Sequence, residues 1–398
     1  MRWQFLGIPL FFFFLIGATV KTPQILAWLH IPQPQKLKAI LPSSMMVKEK
    51  IPPSISVVVE PSLQQQIEYS PAALQNFPSF IRLRGNQKRT TLAFGSLDFI
   101  PVYAHFARDR NASRNAAIAV RLGIDELEGL DVEIAENKSN LSFSSVLHYR
   151  GMKEGLLASI GKPIPLKLPT ELPPQMVGYS VFSVIPAQLY WTVKRCANYL
   201  WGGAASLVHL QMRGLESQMN KLMDVDILGE SSQPWEIIEM KTPTGSVVGV
   251  LRASVQDPAG FEQWLKLAEP VLPLIRPNLK LEAVSVGKIS GYRLVGSPFP
   301  FVLVVHDGAV VVAPSSQTLE QFLQIRSKAG GISSELGIGR GLRWSAGGGI
   351  HRLGPDLTGG IPRDLDKMLQ LLQGVRWNMV EEPGSIQISG EAKWSQRK

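Results

Sequence analysis

Between residues 247 and 325 the apolar spacing switches repeatedly between the strand period and the helix period, and that alternation limits the layers this chain can build. Val247–Val255 is rich in β-branched residues and reads as a strand. Asp257-Pro258 then supplies an N-cap followed by proline at the first helical position. Phe261, Trp264, Leu265 and Ala268 follow at i, i+3, i+4 and i+7, one face of a helix. Leu281–Val286 alternates as a strand, and Gly291-Tyr292 opens another. Phe301–Val305 and Ala309–Ala313 are apolar runs joined by His306-Asp307-Gly308, a hairpin signal. Ser315 and Ser316 cap a further helix that carries Leu319, Phe322 and Leu323 on one side. The order predicts an α+β fold of mostly antiparallel sheets with helices packed on one face.

The flanking regions extend this pattern. Pro362 starts a helix in which Leu365, Met368, Leu369 and Leu372 align, with Gly374 at its end, and Ser385–Trp394 alternates as a terminal strand. Upstream, Pro186–Leu200 and Ala204–Met223 read as helices, the second with Val208, Met212, Leu215, Met219 and Leu222 on one face. Asn140–Tyr149 is strand-like and Gly151–Ile160 a short helix, an echo of 309–325 that suggests a degenerate repeat of two modules. The proline-rich stretch Pro163–Pro174 is the expected boundary. The expected domains are an anchor over 1–30, a linker over 31–53, a basic α+β module over 54–170 and a second α+β module over 171–398.

Phe5–Val20 is an uncharged, apolar-dominated run with Phe11–Phe14 at its centre. Extended back to Trp3, such a segment reaches about 27 Å as a helix, close to the thickness of a bilayer core. It predicts an N-terminal transmembrane helix, with Lys21 snorkelling and Trp28 as an aromatic anchor at the interface. Gly17-Ala18-Thr19 is small enough for a signal peptidase, but no clean cleavage pattern precedes it, so an uncleaved anchor is the expectation. Arg2 favours a cytoplasmic N-terminus, while Lys21, Lys36 and Lys38 argue the reverse. A cytoplasmic N-terminus is preferred, which makes the chain a single-pass membrane protein with an extracytoplasmic body. Residues 31–53, with five prolines, would lift that body off the membrane.

Charge is unevenly spread in a chain of net charge +9: residues 1–170 carry 19 Lys/Arg against 12 Asp/Glu, and 171–398 carry 22 against 20. Arg82, Arg84, Lys88, Arg89, Arg108, Arg110, Arg114 and Arg121 form a basic block, followed by an acidic one at Asp125, Glu126, Glu128, Asp131, Glu133 and Glu136. Either the two blocks neutralise each other across a surface, or the basic one faces an anion such as lipid or an envelope polymer. Nucleic acid is not expected, since the basic block lacks interleaved aromatics and a reading helix.

The chemical motifs are weak. The lone cysteine, Cys196, excludes an intramolecular disulfide and reads as a buried, inert thiol. Gly337-Ile338-Gly339-Arg340-Gly341 lacks the context of a dinucleotide loop and the Lys-Ser/Thr of a phosphate loop, so it reads as a glycine-rich turn. Ser159-Ile160-Gly161-Lys162 matches a serine acylase tetrad, but its downstream Lys-Thr-Gly partner is missing. The six histidines (His30, His105, His148, His209, His306 and His351) form no zinc pair, and His306 reads as a surface turn residue. Asp224, Asp226, Glu381 and Glu382 read as exposed acids near turns. Asn111, Asn137 and Asn140 open glycosylation triplets that matter only in a cell that glycosylates exported proteins. No catalytic, cofactor-binding or metal-ligating residue is singled out, and no cofactor is expected.

Leu251–Asp257-Pro258 with its helix, Gly291-Tyr292, Phe301–Asp307-Gly308–Ala313 with Ser315-Ser316, Leu228-Gly229-Glu230 and the ending at 362–394 together resemble a bacterial family of unknown function, frequent in cyanobacteria. The resemblance covers about the last 220 residues; residues 54–170 depart from it. It implies a membrane segment and repeated strand–helix–hairpin modules, and it supplies no active site. The expected role is that of a non-enzymatic envelope protein that binds or scaffolds a partner protein or an anionic component. The alternatives are a hydrolase acting on lipid or cell wall, or a carrier of an apolar ligand.

Overall fold

The structure is a computed structural model, and its described residues are 27–32, 54–59, 65–68, 79, 82–83, 90–99, 112–137, 140–151, 153–201, 203–242, 247–275, 277–297, 300–326, 332–344 and 372–394. They divide into two compact units. A central unit comprises Arg121–Gly123 and Glu154–Arg343, and a terminal unit gathers the described residues from Ala27 to Val120, from Ile124 to Lys153 and from Trp344 to Trp394. The division falls at Glu154 and again at Trp344.

The terminal unit contains β1 (Ala27–Ile31), β2 (Ile55–Val59), β3 (Gln65–Glu68), β4 (Thr91–Asp98), α1 (Ala112–Leu122, whose last turn belongs to the central unit), β5 (Leu127–Asn137) and β6 (Asn140–Tyr149). The C-terminal hairpin, β17 (Leu372–Glu382) and β18 (Ser385–Trp394), returns to it. The strands form an antiparallel sheet in the order β17-β18-β6-β5-β4-β1-β2-β3. Three expectations fail here. Trp28 is 3% exposed inside β1, where its ring meets Phe94 edge-on, so it is a core residue and no interfacial anchor. The proline-rich segment is not a spacer ahead of the body, because β1 before it pairs directly with β2 after it, from Ala27↔Val59 to Ile31↔Ile55. Leu372 and Gly374 do not close a helix: they begin β17, held by pairing with Trp394 and Lys393. The start of that expected helix and the apolar run Phe5–Val20 lie outside the described residues.

The central unit runs α2 (Gly155–Ala158), β7 (Ile164–Pro169), β8 (Met176–Val184), α3 (Pro186–Trp201), α4 (Gly203–Met219), a π-helix (Met223–Leu228), β9 (Gln233–Lys241) and β10 (Val247–Ser254). It continues through α5 (Pro258–Ala268), a 3-10 turn, α6 (Leu272–Ile275), β11 (Lys280–Val286), β12 (Ile289–Val295), β13 (Phe301–His306), β14 (Ala309–Ala313), α7 (Ser316–Arg326), β15 (Ile332–Gly337) and β16 (Gly339–Trp344). The main sheet has the antiparallel order β11-β12-β13-β14-β10-β9-β8-β16, and β7 pairs with β15 in a separate ribbon.

Local punctuation acts here as its chemistry requires. Asp257 caps α5 by accepting the Gly260 N–H at 2.9 Å. Asp307 and Gly308 turn the β13–β14 hairpin with φ of 50° and 70°, the left-handed pair such a two-residue turn needs. Ser315 Oγ accepts the Thr318 N–H to start α7. Helices cover both faces of this sheet, contrary to the expectation of one. On one side Leu319 and Phe322 of α7 and Leu166 and Leu168 of β7 pack against Val304, Val311, Ile238 and Tyr179. On the other, Phe261, Trp264 and Leu265 of α5 pack against Leu303 and Val312. Because successive strand residues point to opposite faces, β13 and β14 must be apolar at nearly every position. Among the described residues no helix is long and apolar enough to cross a membrane.

Candidate functional site

In β5, Leu130 and Val132 pack with Leu97, Phe99 and Leu147 on one side, while Asp131 and Glu133 point to the other. Register then assembles a polar group on that second side. Asp131 lies opposite Ser96 of β4 and opposite Val146 of β6, two residues from His148. His148 Nε2 is 2.9 Å from Asp131 Oδ2, and the Arg82 guanidinium bonds the same oxygen. Facing a carboxylate, Nε2 is the donor of this contact. The Asp131 side chain is 5% exposed, against 26% for His148 and 50% for Arg82. Burial alone pushes the Asp131 carboxyl up, but hydrogen bonds from His148 and Ser96 and the charge of Arg82 outweigh it and hold the group below the ordinary aspartate value. Asp131 Oδ1 is buried without a hydrogen-bond partner among the described residues. Nearby, Trp28, the register partner of Ser96, donates its indole N–H to Ser79 Oγ at 3.0 Å, and Thr91 bonds Glu133 at 2.7 Å.

This arrangement fastens the Arg82 segment to the sheet and holds an imidazole in one orientation at a half-exposed position. It is not a nucleophile relay. Ser96 sits beside the carboxylate, two strands from His148, roughly 10 Å away at ordinary strand spacing. Of the eight basic residues expected to face an anion, Arg84, Lys88, Arg89, Arg108 and Arg110 lie outside the described residues. Arg82 is committed to Asp131, so at this position the basic and acidic blocks neutralise each other. Arg114 and Arg121 are exposed on α1.

The central unit holds a second charged group, deeper and drier. Glu236 and Arg252 are register partners on β9 and β10, 9% and 10% exposed, with Arg252 Nη1 2.9 Å from Glu236 Oε1. Arg252 also donates to the Asp307 carbonyl at 2.9 Å, and Arg326 of α7 approaches Glu236 at 3.5 Å. Tyr179, buried beside Glu236, is pushed far up by burial and by that carboxylate. Glu236 Oε2 and Arg252 Nε are buried without partners among the described residues.

The weaker motifs resolve into structural roles. Ser159 Oγ donates to the Leu156 carbonyl at the end of α2. Gly339 and Gly341 lie within β16, paired with Phe182 and Ser180, so the glycine run is strand and opens no helix. Cys196 is buried, and burial pushes its thiol up, which disfavours the reactive thiolate. Asp224 accepts the Trp191 indole N–H, Asp226 accepts the Leu222 N–H, and Glu381 holds Tyr149 and Lys153. Among the described residues no group of three His, Cys, Asp or Glu is placed to hold a metal. Sequence reasoning missed Asp131–His148 because the contact depends on strand register. The available signal was the alternation of Leu130, Val132 and Ile134 with Asp131 and Glu133. No protein-family model, curated protein or solved structure matches the chain.

Proposed function

We propose that this chain is a membrane-anchored, extracytoplasmic binding or scaffold protein, held by its N-terminal apolar run and engaging an envelope protein or an anionic lipid or polymer. One observation carries the reading: β1 begins at Ala27, with six residues between it and Val20, and is built into the terminal sheet. Six extended residues span at most about 20 Å, so a run left in the bilayer keeps that sheet against the membrane surface. Of the basic block, Arg121 is exposed on α1 towards solvent, and Arg82 is available to an anionic partner only if Asp131 releases it. A degenerate repeat has local support alone, since a hairpin precedes α2 as another precedes α7.

The hydrolase alternative has one specific observation in its favour, the Asp131–His148 contact. The test is fractionation of the full-length protein with membranes after an alkaline wash, followed by external protease on cells with an opened outer barrier. The reading expects a membrane pellet and a body that is digested from outside. Recovery in the wash supernatant, or a body reachable only after lysis of the inner membrane, contradicts it.

A further inference from the structure

We draw no further inference here: the strongest candidate, the outward face of the β7–β15 ribbon where Ile332 and Leu336 stand exposed, carries none because nothing in the structure shows what covers it.

Discussion

In the central unit neighbouring residues of β13, Leu303 and Val304, are both buried, each in a different core. In the terminal unit the neighbours Leu130 and Asp131 divide, one into the apolar core and the other onto a polar face. A sheet covered on both sides leaves no wet face for a charge, so Glu236 and Arg252 are tolerated because they meet each other, with Arg326 and the Asp307 carbonyl beside them. The terminal sheet buries Asp131 as well, but its partners Arg82 and His148 remain largely in contact with water. The same kind of contact therefore carries different weight in the two units.

The sharpest way to break this comparison is to remove one member of the dry pair. Arg252→Leu leaves the Glu236 carboxylate with only the longer Arg326 contact and is expected to cost about 3–5 kcal/mol in urea unfolding. Adding Glu236→Leu is expected to restore more than half of that, because both charges then leave the core. A single-variant cost below about 1 kcal/mol would erase the distinction between the units. The terminal counterpart, Asp131→Asn, is expected to cost less, about 1–2 kcal/mol, since solvent satisfies Arg82 and His148 when the charge is lost.

The two forms also differ in their pH dependence. The folded carboxyl of Asp131 titrates below its unfolded value, so its contribution is complete above an ordinary aspartate pKa of about 3.9. It fades as pH falls through that value towards the lower folded one. Unfolding curves of the wild type and Asp131→Asn should therefore converge on acidification below about pH 4. A difference that persists or grows in acid would mean that Asp131 is not held ionised.

Smaller effects sharpen the comparison within each unit. Asp257→Ala removes the α5 cap and the Lys221 pair, and should cost about 1 kcal/mol by chemical denaturation. Glu128→Gln breaks a pair whose members, Arg150 and Glu128, are 56% and 48% exposed. It should shift stability by no more than about 0.5 kcal/mol.

The central unit was the legible one, for a physical reason. Asp257-Pro258, Asp307-Gly308 and Ser315 act within a few residues of their own position, so spacing alone reports them. What eluded the sequence there was coverage, because an apolar run cannot say whether one or two helical layers sit on it. The terminal unit depends on distant pairing. Leu372 continued a helical pattern, yet its pairing with Trp394, and that of β18 with β6, draws the segment into a sheet. Trp28 followed an apolar run and read as its interfacial end, whereas β2 and β4 claim it from either side. Asp131 and His148 share a face only once β5 and β6 are in register.

The first strand also frames the most direct test. Because β1 starts at Ala27, the terminal sheet would survive both retention of the apolar run and its removal near Ala18. The intact mass of the mature protein, taken from washed membranes and from the soluble fraction, separates the two. The account predicts a membrane-bound chain whose mass still includes Phe5–Val20. A mature chain that starts beyond Val20 and is recovered in the soluble fraction would contradict it.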